Sequence, residues 1–222
     1  MDTLLQALEY ALDPHNNFVG KLVTHLELSG LSLLAACALG IPLGIWTSKH
    51  KRLAQLVMNL AGVLRVVPPI AVLFLLLPVF KIGFWAPVVA LTLLALPPLL
   101  INTDAGMRGV DPGAVEAGRG MGMSSWRLLA RVQLPLSLPV ILAGLQIAGI
   151  EVVASATLAV LIGGGGLGEY IATGLALNRS YILLVGAVPV AAIALSIELG
   201  LAYLRRVVLR REHIEAQVVS RV

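Results

Sequence analysis

Five stretches of this chain are apolar over about the 20 residues that a helix needs to cross the roughly 30 Å hydrocarbon core of a bilayer. They are Leu26 to Trp46, Leu53 to Phe80, Trp85 to about Thr103, about Leu134 to Ile162, and Tyr181 to Leu204. A backbone in lipid must satisfy its own hydrogen bonds, so such runs fold as helices. The connections between them are short and hold most of the charge. Only 13% of the 222 residues are charged and 58% are hydrophobic, whereas a soluble domain carries about 25% charge. Five buried helices of a soluble protein would lack the polar surface to cover them. The expected fold class is therefore all-α, a polytopic membrane protein with about five transmembrane helices.

The runs are not uniform. Arg65 and Pro68-Pro69 interrupt the second, predicting a broken or kinked span, and Pro97-Pro98 lies inside the third. Both proline pairs free backbone carbonyls, which fits a hinge or a static kink. Ala36, Gly40 and Gly44 repeat at the four-residue spacing that lets helices approach closely. Arg65, Glu151 and Glu198 are charges within spans, costly there. They either line a translocation path or pair helices. Before the first span, Asp2 and Glu9 and a short apolar stretch do not make a secretory signal. Leu4, Leu5, Leu8, Ala11 and Leu12 predict a short interfacial helix ending at Asp13-Pro14.

Basic residues are in excess on the cytoplasmic side of membrane proteins, and here they fall on alternate connections. Lys49, Lys51 and Arg52 follow the first run. Arg108, Arg119, Arg127 and Arg131 follow the third, and Arg205, Arg206, Arg210, Arg211 and Arg221 follow the fifth. Only Lys21, Lys81 and Arg179 fall on the other side. An odd number of spans with this bias predicts an outer N-terminus and a cytoplasmic C-terminus. The Arg205 to Arg211 cluster then reads as an anchor at anionic headgroups rather than a nucleic-acid site.

Enzyme chemistry finds no support. Cys37 is the single cysteine, and His15, His25, His50 and His213 lack ligand spacing, so no metal site is expected. There is no Gly-x-x-x-x-Gly-Lys-Ser/Thr loop for ATP. Gly163, Gly164, Gly165, Gly166 and Gly168 mimic a dinucleotide fingerprint, but they follow a membrane span on the predicted outer side without a preceding strand. They read as closely packed or flexible backbone, placed for an outer gate rather than for a nucleotide.

The longest polar connection, about 104–133, reads as two short helices around a glycine turn. Asp111 is an N-cap with Pro112 in the first helical turn. Gly118, Gly120 and Gly122 are expected to end that helix. Ser124 or Ser125 caps a second helix through Trp126 and Leu129, which Pro135 is expected to close.

These residues carry a resemblance. Glu116-Ala117-Gly118, then Gly122, then Val132-Gln133-Leu134-Pro135 keep the spacing of the EAA loop in permease subunits of bacterial ATP-binding-cassette (ABC) importers. Gly118 replaces the second alanine of that pattern and Val132 an isoleucine. Gly109-Val110-Asp111-Pro112, Arg119 to Met123 and Leu161 to Gly168 extend the resemblance, over most of residues 20–205, to the permeases of glycine betaine, carnitine and choline importers.

The resemblance implies one permease domain over 1–222, with an N-terminal segment 1–24, a cytoplasmic coupling loop 104–133 and a cytoplasmic tail 205–222. It implies a multi-pass protein of the bacterial inner membrane that forms half of a path for a small solute. An ATPase dimer using ATP and Mg would receive the loop: Glu116 as polar anchor, Gly122 at the turn, and Trp126 or Leu129 as apolar contact. A second permease, identical or related, and an extracytoplasmic solute-binding protein would complete the assembly in the bilayer. The latter fits a chain with 5% aromatic residues, too few to build the aromatic cage that recognises a quaternary ammonium. The competing readings are a permease for methionine, nitrate or taurine, and an ATPase-independent transporter or channel, which would call for inverted repeats.

Overall fold

The computed structural model describes residues 2–219, and all regular structure among them is helical. α1 (Asp2–Leu12) leads through a single turn at Pro14–Asn16 into α2 (Phe18–Lys49). Then come α3 (Lys51–Val66), α4 (Pro69–Phe80), α5 (Trp85–Arg108), and the short α6 (Pro112–Gly120) and α7 (Ser125–Leu128). A π-turn over Leu129–Gln133 passes into α8 (Leu134–Ala156), a tight turn over Thr157–Ile162 follows, and α9 (Gly168–Ala176) precedes α10 (Ser180–Val219).

α5 is the axis of the bundle. Its apolar window is the most buried of the long helices, and α2, α3, α4 and α8 all pack on it. Close approach is what the small residues supply. A Cβ on Gly40 would lie 3.1 Å from Leu99 Cβ, and one on Gly44 would lie 2.6 Å from Thr103 Cβ. On the opposite flank a Cβ on Gly144 of α8 would lie 2.6 Å from Asn102 Cβ and 2.8 Å from the Pro98 carbonyl. Ala36, Gly40 and Gly44 are all buried, as their spacing predicts.

The two proline pairs behave differently. Pro97 and Pro98 stay inside a continuous α5, and the Asn102 side chain donates to the Pro98 carbonyl at 2.8 Å. Val67 and Pro68 leave the helical region, and α3 and α4 diverge by 102°. The second apolar run is thus broken in two.

Contacts between helices fix the number of crossings. Ser32 of α2 donates to the Val88 carbonyl near the start of α5, while Arg108 at the end of α5 donates to the Thr47 carbonyl near the end of α2. α2 and α5 therefore run in the same direction, so α3 and α4 together carry the chain back across. Ser137 near the start of α8 meets Met107 at 3.4 Å, which makes α8 antiparallel to α5. A Cβ on Gly149 of α8 would lie 3.0 Å from Ile197, and Gly186 near the start of α10 backs on Leu167, so α10 reverses again. Five crossings follow. They leave α1 at one end of the bundle and the α6–α7 loop and the end of α10 at the other.

Several boundaries differ from expectation. α2 begins at Phe18, within the N-terminal segment, and α5 runs to Arg108, so the connection is shorter than 104–133. α10 continues unbroken past Arg205 to Val219, making the described part of the tail an extension of the last span. Of the basic residues assigned to this side, Arg221 lies outside the described residues, as do the side chains of Lys51, Arg210 and Arg211. α1 forms as expected; Leu4, Leu5, Leu8 and Leu12 are exposed, and Ala7 is buried where α1 packs on α10.

Gly44→Val should force α2 off α5 and cost about 1–3 kcal/mol, as overpacking of a tight contact does. Gly62→Ala, inside α3 where a Cβ meets nothing within 4 Å, should not destabilise and should gain up to about 1 kcal/mol of helix propensity. Thermal unfolding of the two purified variants in one detergent checks the contrast; equal stability would remove Gly44 from the packing argument.

Candidate functional site

Each turn of the α6–α7 loop has an identifiable cause. The Asp111 carboxylate accepts from the backbone N–H groups of Gly113 and Ala114 at 3.2 and 3.3 Å, and Pro112 occupies the first turn of α6. Such a cap contributes about 1 kcal/mol. α6 then runs through Gly120, so Gly118 and Gly120 lie within the helix and do not end it.

Gly122 ends it. With φ of +76° it occupies the left-handed region, its N–H donates to the Arg119 carbonyl at 2.9 Å, and the next N–H, of Met123, donates to Gly118 at 3.1 Å. Those two bonds are the Schellman pattern that closes a helix on a glycine. Gly118 serves packing instead. It is buried, and a Cβ there would approach Leu128 Cδ1 to 2.6 Å. Its replacement of alanine in the EAA pattern lets α7 fold tightly onto α6.

Ser124 caps α7 through the Arg127 N–H at 3.4 Å. Pro135 does not close the helix, contrary to the expectation from sequence. The chain continues through the π-turn into α8, and Pro135 sits in the first turn of α8. The loop is thus continuous with α8 at one end and two residues from α5 at the other.

The outward face of the loop combines large apolar side chains with charges of both signs, Glu116 with Arg119, Arg127 and Arg131, all exposed. Trp126 is 73% exposed and Met121 70% exposed, whereas Leu129 is buried at 9%. Of the two predicted apolar contacts, Trp126 is therefore available and Leu129 is structural. Met121 was missed by sequence reasoning; its signal was a large apolar side chain one residue before the turn glycine. Glu116 and Ala117 are exposed on α6. Behind the loop lies a cavity of about 310 Å³ lined by Lys49, Arg119, Met123, Ser125, Leu128 and Gln133. No catalytic arrangement occurs in this loop. A rigid, capped hairpin with an exposed tryptophan is suited to docking.

At the other end of the bundle the glycine run is packed rather than loose. Gly163, Gly165 and Gly166 have φ of +79°, +74° and +87°. Gly163 backs on Ile82, Gly164 would set a Cβ 2.6 Å from Pro87, and Gly166 would set one 3.3 Å from His25. Gly168 backs on the Thr157 carbonyl. The run therefore seals against α2 and the start of α5. Beside it Lys21 pairs with Glu169 at 3.0 Å and lies 4.3 Å above the Tyr170 ring. The Tyr170 hydroxyl donates to the Asn16 carbonyl at 2.6 Å. Burial, with Tyr10 and Glu169 nearby, pushes that hydroxyl up to about 12, so it stays a donor at neutral pH.

The intramembrane charges are not drawn into one cluster. Glu151 is half-buried on α8, Arg65 is exposed at the end of α3, and Glu198 is half-buried on α10. The ion pairs among the described residues are Lys21–Glu169 and Asp104–Arg108, and neither includes Arg65, Glu151 or Glu198.

Comparison with known proteins agrees with this architecture. Residues 40–210 match the family described as binding-protein-dependent transport system inner membrane component. The chain is 39% identical, over 85% of its length and 87% of the relative's, to the carnitine transport permease protein OpuCB of Listeria monocytogenes. It is 35% identical, over 82% and 84%, to the glycine betaine/carnitine/choline transport system permease protein OpuCB of Bacillus subtilis. An inward-facing structure of the MetNI methionine ABC transporter superposes with a TM-score of 0.78 at 21% identity, covering 88% of this chain and 98% of that one, which speaks to the fold alone. The chain belongs to the binding-protein-dependent transport inner membrane components: it is a multi-pass permease subunit of an ABC importer.

Proposed function

We propose that this permease imports an osmoprotectant of the quaternary ammonium class, such as glycine betaine, carnitine or choline, as half of a two-permease path. The relatives above are named for those solutes. The α6–α7 hairpin carries the rest of the reading: it is rigid, capped at both helices, exposes Trp126, Met121 and Glu116, and joins α5 to α8.

The hairpin docks on a cytoplasmic ATPase dimer that binds ATP and Mg and performs the hydrolysis. Closure of that dimer displaces the hairpin, and α5 and α8 move with it, since a packed bundle shifts between discrete arrangements. The excess of basic residues at the hairpin end supports a cytoplasmic position for that end. The end with the glycine run then faces outward, where a solute-binding protein delivers the solute and the packed Gly163–Gly168 backbone closes the outer gate. The second permease is identical or related. Glu151, with Arg65 and Glu198, lies along the path, where a carboxylate steadies a quaternary ammonium.

Three outcomes test this. Proteoliposomes holding the permease, its ATPase and its binding protein should accumulate labelled glycine betaine, carnitine or choline only with ATP inside; uptake of methionine instead, or ATP-independent uptake, would overturn it. Gly122→Asp and Glu116→Lys should abolish uptake and ATPase co-purification while the chain still inserts, and Gly122→Ala, which meets about 1–2 kcal/mol of left-handed strain, should give partial loss. Glu151→Gln should weaken solute affinity or rate; unchanged values for both would remove Glu151 from the path.

A further inference from the structure

Where α5 leaves the bundle, its last turn is tied to a second helix by one side chain. The Arg108 guanidinium grips the Asp104 carboxylate one turn back at two points, Nε to Oδ2 at 2.7 Å and a terminal nitrogen to Oδ1 at 3.2 Å. The same terminal nitrogen donates to the Thr47 backbone carbonyl at 2.8 Å. Asp104 and Thr47 are buried, and the Arg108 side chain is 34% exposed.

Thr47 lies in the last turn of α2, whose carbonyls form the negative end of the helix and favour a cation. Two residues after α2 ends the chain begins α3. In the other direction Arg108 is three residues before Asp111, the N-cap of the docking hairpin. The contact therefore joins the base of the hairpin to the corner where α2 becomes α3.

We propose that Arg108 is a positioning residue that latches this α2–α3 corner to the hairpin, so that displacement of the hairpin is carried to α2 and α3 as well as to α5 and α8. This rests on the docking role proposed above. Three features support a latch rather than simple packing. The planar fork of arginine satisfies Asp104 at two points and still reaches a third acceptor, which a lysine does not reproduce. The close contact of Gly44 with Thr103, one turn away, makes the α2–α5 junction stiff enough to transmit a shift. A cavity of about 340 Å³ lined by Ala54, Gln55, Met58, Asp104 and Arg108 lies beside the guanidinium, between α3 and α5, so its hydrogen bonds rather than close packing hold it in place.

The test uses the complete importer with spin labels on His50→Cys and Gly120→Cys in a Cys37→Ala background. In the wild type the distance between the labels should be narrow and should keep its width when ATP is added. Arg108→Gln should broaden it, with or without nucleotide, and should raise ATP consumed per glycine betaine imported by about tenfold, within the usual range of coupling between sites. Asp104→Asn, which keeps the shape, should act in the same direction, and Arg108→Lys, which retains a donor for Thr47, should recover part of the coupling. A narrow distance and unchanged ratio in Arg108→Gln, or hydrolysis and uptake falling in equal proportion at unchanged distance, would overturn the latch. If the wild type neither binds an ATPase nor imports glycine betaine, the transport reading fails, and the nucleotide-free distances still decide the latch.

Discussion

The arrangement depends on how closely α2 and α8 approach α5. Lipid tails are as apolar as leucine, so burying one transmembrane helix against another gains little from the hydrophobic effect, and packing contact must hold the bundle. Gly40 and Gly44 on one flank and Gly144 on the other remove the side chains that would hold the helices apart. Dispersion contacts, individually weak, then accumulate along the whole length of α5. With both flanks engaged, α5 is a stiff rod whose free end carries the α6–α7 hairpin.

That hairpin is tied to the bundle at each end. α5 enters it through Gly109 and Val110, and the π-turn delivers it into α8 without a break. α5 and α8 also touch each other where the hairpin begins, at Met107 and Ser137. A push on Trp126 or Met121 thus meets a pair of packed helices rather than a mobile loop. Capping by Asp111 and Ser124 and the Schellman closure at Gly122 keep the push from dissipating in the melting of α6 or α7.

Much of this was legible in the sequence because the bilayer imposes a strict length and polarity rule. Apolar runs marked the crossings, the Ala36-Gly40-Gly44 spacing marked a packing face, and the caps and glycines from Asp111 to Ser125 marked the hairpin. What the sequence hid was contact. Pro68-Pro69 and Pro97-Pro98 read alike, yet only the first breaks the chain, because Val67 and Pro68 turn out of the helix while α5 is held straight by neighbours on both sides. Gly118, Gly120 and Gly122 read as one turn signal, yet only Gly122 has positive φ, and Gly118 is there to admit Leu128. Pro135 read as a stop and is a start, since a proline fits the first turn of a following helix as readily as it ends a preceding one. The Arg108 grip on Thr47 joins residues 61 apart, a distance no local pattern reveals.

The central claim is that the hairpin faces the cytoplasm and is covered there by an ATPase. Reaction of Met121→Cys, in a Cys37→Ala background, with a membrane-impermeant maleimide tests it directly. The account predicts labelling in inverted vesicles stripped of the ATPase, protection when the ATPase is restored, and no labelling in right-side-out vesicles. Labelling from the outer face, or labelling in inverted vesicles that the ATPase leaves unchanged, would contradict it.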